Sequence, residues 1–255
     1  MNPLAISVKQ YISPQGNELQ IRENLKRELP ELKPAICSHD GNFVIVASGP
    51  FLSEHIEEIR QEQERGRPIC AINGSYDYLV NHGIIPNLFL TVDPRPMPQN
   101  VTNPQHETVF LLASRVNPEL FDRLTDYKVL VWHSWSLEKE CEEFKGKFAI
   151  GGGTTSGLRA INMGYVLGYR NFIMYGMDSC LADDKKTKRF SGEEAGAIID
   201  VVVGDKTFYC NHAMAQQANE FQELYKVMSD VHLEAKGRGL IAAILDERKR
   251  LGKRV

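Results

Sequence analysis

Short apolar runs punctuate the chain, each closed by polar or turn-forming residues: Asn42–Ala47, Ile69–Ile72, Leu88–Val92, Val109–Ala113, Lys128–Trp132 and Phe172–Tyr175. They are rich in Val, Ile, Leu and Phe and do not alternate with polar residues. That pattern predicts strands covered on both faces. Segments with helical spacing lie between them: Ser53–Arg65, Tyr76–Asn81, Pro118–Thr125, Ser136–Phe144 and Ser156–Leu167. Strand and helix patterns in alternation predict an α/β chain, with a Rossmann-like, mainly parallel sheet and helices on both faces.

The flanks depart from this rhythm. Residues 1–40 are polar and loosely amphipathic (Leu19, Ile21, Leu25, Leu29) and read as a helical extension bounded by prolines. Residues 41–255 then form one domain. After Asp178, the stretch LADDKKTKRFSGEEAGA is charged and short of large apolar residues, which predicts a mobile loop. IIDVVVGDKTFYC reads as a hairpin turning at Gly204-Asp205. A long helix over about Asn211–Met228 follows, then one more strand in DVHLEAK and a terminal helix. Residues of about 180–212 are therefore expected to form a hairpin-helix lid.

Composition narrows the class. A length of 255 residues supports a large core, and 42% hydrophobic with 25% charged residues is ordinary for a globular protein. The net charge of −3 carries no global nucleic-acid footprint. No apolar run approaches about 18 residues, and the first residues lack the order of a signal peptide. The five cysteines (Cys37, Cys70, Cys141, Cys180, Cys210) are scattered and odd in number, without zinc-ligand spacing. Cys70 and Cys210, inside apolar runs, are expected to be buried as small hydrophobes, and the thiols to be reduced in a cytoplasmic protein.

Candidate chemistry gathers where predicted strands end, the edge at which open α/β sheets bind ligands. Ser48-Gly49-Pro50 follows the first strand, Asn73-Gly74-Ser75 the second and Asp93-Pro94 the third. A glycine-rich turn, Gly151-Gly152-Gly153-Thr154-Thr155-Ser156-Gly157, opens the helix before the last apolar run, which itself ends on Gly176 and Asp178. Glycines allow close backbone approach, and a capped helix N-terminus favours phosphate. The repetition of such turns at one edge points to a nucleotide-sized pocket. Asp178 can serve metal, ribose or the neighbouring backbone. The basic residues Lys185, Lys186, Lys188 and Arg189 either close over a diphosphate or are solvated. Trp132 and Trp135, flanking His133, either wall an acceptor site or edge the core. Neither GxGxxG nor GxxxxGK[ST] occurs, and GPFLS is not a nucleophile elbow.

SGPFL, AINGSYDYL, the strand ending in Asp93-Pro94 and TTSGLRAINMGYVLGYRNFIMYGMD together resemble the sialyltransferase-type Rossmann proteins over residues 42–225. That group includes bacterial lipooligosaccharide sialyltransferases and the central domain of flagellar motility-accessory-factor glycosyltransferases. The chain is also similar to a family named after 6-hydroxymethyl-dihydropterin diphosphokinases. Tyr209-Cys210-Asn211-His212, ahead of a helix carrying Glu220-Phe221, resembles the sialyltransferase segment whose histidine is the proposed general base. The resemblance thus implies His212 as catalytic base. It assigns Ser48, Gly49, Pro50, Asn73, Gly74, Asp93, Gly152, Gly153, Thr154, Thr155, Ser156 and Asp178 to a nucleotide, and it implies a CMP-type nucleotide sugar as co-substrate. The chain departs from that family at Ser48 and Asp93, where sialyltransferases carry asparagine, and at Cys180, near which they carry phosphate-binding tyrosines. The diphosphokinase resemblance implies instead Mg²⁺-ATP, with Asp93 and Asp178 on the metal. A non-catalytic nucleotide-binding protein is the third alternative.

Overall fold

The computed structural model describes residues 12–96, 101–134, 147–190, 192 and 196–252. The predicted helix Ser136–Phe144 and Trp135 lie outside them. Helix α1 (Pro14–Leu25) opens with Ser13 accepting from the Gly16 N–H and a proline in its first turn. The core then runs β1 (His39–Val46), a 3-10 turn (Leu52–His55), α2 (Ile56–Glu64), β2 (Ile69–Ile72), α3 (Ser75–Asn81) and β3 (Leu88–Thr91). Next come β4 (Val109–Ala113), α4 (Pro118–Arg123), β5 (Lys128–Ser134), β6 (Ala149–Ile150), α5 (Ser156–Val166) and β7 (Tyr169–Tyr175). The hairpin β8 (Ile199–Val203) and β9 (Lys206–Cys210), α6 (His212–Val227), β10 (His232–Ala235) and α7 (Leu240–Arg250) complete the fold.

Eight strands form one sheet in the order β10-β7-β1-β2-β3-β4-β5-β6, and every described pairing in it is parallel. The expected Rossmann-like α/β class is what the structure has. The chain steps outward from β1 to β6, returns through α5 to β7 beside β1, and continues to β10. The sheet thus reverses its direction of travel between β1 and β7. Because parallel crossovers are right-handed, that reversal puts α5 and α6 on the opposite face from α2, α3 and α4. Phe43, Val44, Ile45 and Val46 are fully buried, as are Cys70 and Cys210.

Two sequence expectations need correction, and one open alternative is decided. The segment Ser53–Arg65 is split, a 3-10 turn preceding the α-helix. Leu19 faces solvent, and the buried face of α1 instead carries Asn17, Ile21 and Asn24. Asn24 Nδ2 donates to the carbonyls of Ser114 and Val116 at 2.9 and 2.7 Å, so an amide anchors this helix rather than an apolar stripe. Trp132 is core: it is buried, and its Nε1 donates to the Leu111 carbonyl at 3.1 Å. It lines no acceptor wall.

Candidate functional site

The carboxyl ends of β7, β1, β2 and β3 stand side by side, and hydrogen bonds join their turns into a closed circuit. Between β7 and β1, Gly49 N donates to Gly176 O at 2.8 Å. From β1 to β2, the buried Ser75 Oγ donates to Val46 O at 2.6 Å. From β2 to β3, Asn73 N donates to Leu90 O at 3.4 Å. From β3 to α5, Val92 N donates to Ser156 Oγ at 3.2 Å. Helix α6 closes the circuit, since Gln217 Nε2 donates to Thr155 Oγ1 at 3.1 Å and Ser179 Oγ donates to Gln217 Oε1 at 2.9 Å. The reversal between β1 and β7 lies on this circuit, the place where doubly wound sheets open a ligand crevice.

Each turn has its own local cause. Ser48 follows β1, and its carbonyl accepts from Phe190 N at 3.4 Å, while Phe190 packs on Tyr78 with ring centroids 4.5 Å apart. Residues 181–190 thereby cross the ends of β1 and β2, with Asp183 paired to Arg238 at 2.6 Å and Asp184 capping Lys186 and Thr187. Gly49-Pro50 interlocks with the end of β7: Phe51 N donates to Asp178 Oδ2 at 3.0 Å, and a Cβ on Gly49 would fall 2.2 Å from that oxygen. Asp178 is 3% exposed, and burial pushes its carboxyl up to about 6. It serves the neighbouring backbone. Asn73 adopts a left-handed conformation (φ 52°) while Gly74 is ordinary αR, and Asn73 Oδ1 is buried without a hydrogen-bond partner. Asp93 follows β3 and is held by Arg95, whose Nε lies 2.9 Å from Oδ1.

The glycine turn is built from below. The buried Arg159 donates through Nε to Gly153 O at 2.8 Å and through Nη1 to Ile150 O, fixing the carbonyls on its inner side. Sequence reading did not single out Arg159; the available signal was a lone cation within the apolar run of α5. Gly152 and Gly153 have φ of 106° and 83°, which L side chains rarely adopt. Side chains there would also meet Asn162 and Leu158, so substitution disturbs the turn as well as any ligand. Thr155 caps α5. Thr154 N and Oγ1 both donate to Glu220 Oε2 at 2.9 Å.

His212 is the first residue of α6, capped by Asn211, and it is exposed. Cys210, two residues before it, donates its thiol to Ser179 O at 3.3 Å, which ties the helix start to the end of β7. His212 therefore stands at the same sheet edge as Ser48, Asn73 and Ser156. His133 is elsewhere, buried at the end of β5 with Nδ1 3.1 Å from Ser114 Oγ and Nε2 3.5 Å from Glu31. Burial lowers its pKa, and Glu31 supplies the acidic neighbour that the local sequence lacks. Among the described residues no group of three or more His, Cys, Asp or Glu converges as a metal site, and no helix is long and apolar enough to cross a membrane.

The architecture has a known counterpart. The MAf glycosyltransferase from Magnetospirillum magneticum AMB-1 is similar in structure with a TM-score of 0.66 and 13% identity, over 97% of this chain and 43% of that one. This chain thus spans less than half the length of that protein, and at such identity the likeness shows fold alone. A mammalian sialyltransferase in complex with Gal-beta-1-3GalNAc-ortho-nitrophenol is similar over 93% of this chain and 91% of that one, with a TM-score of 0.47 and 12% identity. No curated protein matches the sequence significantly. The family model described as 6-hydroxymethylpterin diphosphokinase MptE-like matches residues 19–184, a segment running from α1 through β7 to the strap that follows Asp178. That match covers well over half the chain and includes the ends of β7, β1, β2 and β3, and the chain belongs to the MptE-like family.

Proposed function

We propose that the chain is a nucleotide-dependent transferase moving a sugar from a CMP-type activated donor to an acceptor hydroxyl, with His212 as general base. One observation carries this reading: His212 is exposed in the first turn of α6, a helix whose approach is tied by Cys210 to Ser179 beyond β7 and whose Gln217 bonds Thr155 of the glycine turn. A neutral imidazole takes the proton of the attacking hydroxyl as the new bond to the anomeric carbon forms. The bond from that carbon to the phosphate oxygen breaks, and CMP leaves with charge that the α5 N-terminus favours. Ser48, Asn73 and the Gly152–Ser156 turn hold the nucleotide, and the strap over residues 181–190, the β8–β9 hairpin and the start of α6 act as a lid. The fold shared with the MAf glycosyltransferase supports the reading.

Membership of the MptE-like family supports a second reading, pyrophosphate transfer from Mg²⁺-ATP. The residues that would hold the metal do not suit it. Asp93 is committed to Arg95, and Asp178 is buried against the Phe51 N–H. Supplying CMP-, UDP- and GDP-sugars, or Mg²⁺-ATP with 6-hydroxymethyl-dihydropterin, and following nucleotide release separates the two. His212→Ala is expected to slow CMP release by about 10²–10⁴-fold while donor affinity stays within a few-fold. AMP formation that Asp93→Asn abolishes and His212→Ala spares would overturn the glycosyl-transfer reading.

A further inference from the structure

The glycine turn already holds an anion, and the anion belongs to the protein. Glu220 Oε2 accepts both the Thr154 N–H and the Thr154 hydroxyl at 2.9 Å. It lies so close over the turn that a Cβ on Gly153 would come within 3.2 Å of it. The other oxygen, Oε1, accepts from Gln216 Nε2 at 2.9 Å. Arg159 keeps the Gly153 and Ile150 carbonyls on the inner side, and Glu220 takes the donor on the outer side. The close approach that glycines permit is thus used by a side chain of α6. The contact is at the rim, with Thr154 exposed, so a ligand in solution can compete for it. At the same edge Asn73 Oδ1 is buried without a partner, in a left-handed residue.

We propose that Glu220 is an internal anion occupying the phosphate position of the glycine turn, so that a nucleotide phosphate binds by displacing it. The inference rests on the nucleotide-binding reading above and adds its control. A phosphate and the Glu220 carboxylate are like charges competing for the same donors, so they exclude each other. Displacement also frees α6 of one of its ties to α5, leaving the Gln217 bonds. The site then discriminates by charge: the nucleoside part of a ligand does not contest Glu220, whereas its phosphate does.

Calorimetric titration tests this with CMP, UDP, GDP and ADP, each beside its parent nucleoside, against wild type, Glu220→Ala and Glu220→Gln at one ionic strength. For the nucleotide that wild type binds best, Glu220→Ala is expected to bind about tenfold tighter, while nucleoside affinity stays within about twofold. Glu220→Gln keeps an acceptor but loses the charge, and a smaller gain is expected. Equal or weaker nucleotide binding by folded Glu220→Ala, with wild type binding the same nucleotide, overturns the inference and leaves the nucleotide reading standing. Binding of no nucleotide by any of the three proteins overturns both. Thermal unfolding midpoints report folding, and if both variants unfold, Glu220 is a structural brace and the inference falls.

Discussion

Asp178 occupies the position from which a carboxylate at a strand end reaches ligand, yet its Oδ2 holds the Phe51 N–H and Gly239 packs against its backbone. Burial keeps the carboxyl protonated up to about pH 6, above its ordinary value near 3.8. Between those values the native state carries a proton that the unfolded chain has released. Stability from this group is therefore present in acid and lost as pH rises through 4 to 6. Asp178→Asn keeps an acceptor for Phe51 and removes the buried charge. It is expected to equal or exceed wild type in unfolding midpoint at pH 7.5 and to lose most of that advantage at pH 4, a relative change on the order of 2 kcal/mol. A variant much weaker than wild type at pH 7.5 would show that the charge itself is needed. The sequence marked Asp178 and the strand-end turns as a group. It left open what Asp178 serves, because its partners, Phe51 and the Gly237–Gly239 turn, are far from it along the chain. The Thr154–Glu220 contact was out of reach, since it depends on which helix face meets the turn; the only signal for Arg159 was a lone cation in an apolar run.

At the scale of elements, α5 shows why local propensity is an incomplete guide. Its glycine at 164 is a poor helix former, yet a Cβ there would lie 2.5 Å from Phe172 and 2.8 Å from Phe43. The glycine lets the helix lie close on β1 and β7. Gly164→Ala gains about 1 kcal/mol of helix propensity, but overpacking two buried rings costs about 1–3 kcal/mol. Net destabilisation is expected in a denaturant titration, and a stabilised variant would mean the helix rides higher than described. The central strands were legible because each is a short apolar run closed by a turn. The β8–β9 hairpin was legible from Gly204-Asp205, and its register pairs Val203 with Lys206 around that turn. Strand β6 was not, since two residues carry no period. Helix α1 was legible but its buried face was not, because its anchoring side chain is Asn24, and a buried asparagine satisfied by two carbonyls looks polar in sequence.

For the whole molecule, the point of reversal between β1 and β7 fixes an order of assembly. Strand β1 pairs with β2 at Val44↔Ile69, and β3, β4 and β5 add in turn through similarly short crossovers. Its other neighbour must travel much further, because Val46 pairs with Tyr175. Closing that loop carries a larger entropic penalty and waits on α5, which alone brings β7 back across the sheet. Pulsed hydrogen exchange during refolding is expected to protect amides of β3 and β4 before those of β7 and β10; simultaneous protection would argue for a single concerted nucleus. Until β7 docks, Asp178 has no Phe51 to hold, Ser179 no Gln217, and the glycine turn no α6 above it. If β7 docks last, the circuit of turns is a late product of folding: a newly made chain buries most of its sheet before that edge is complete, and whatever stabilises the edge acts on the last step of its maturation.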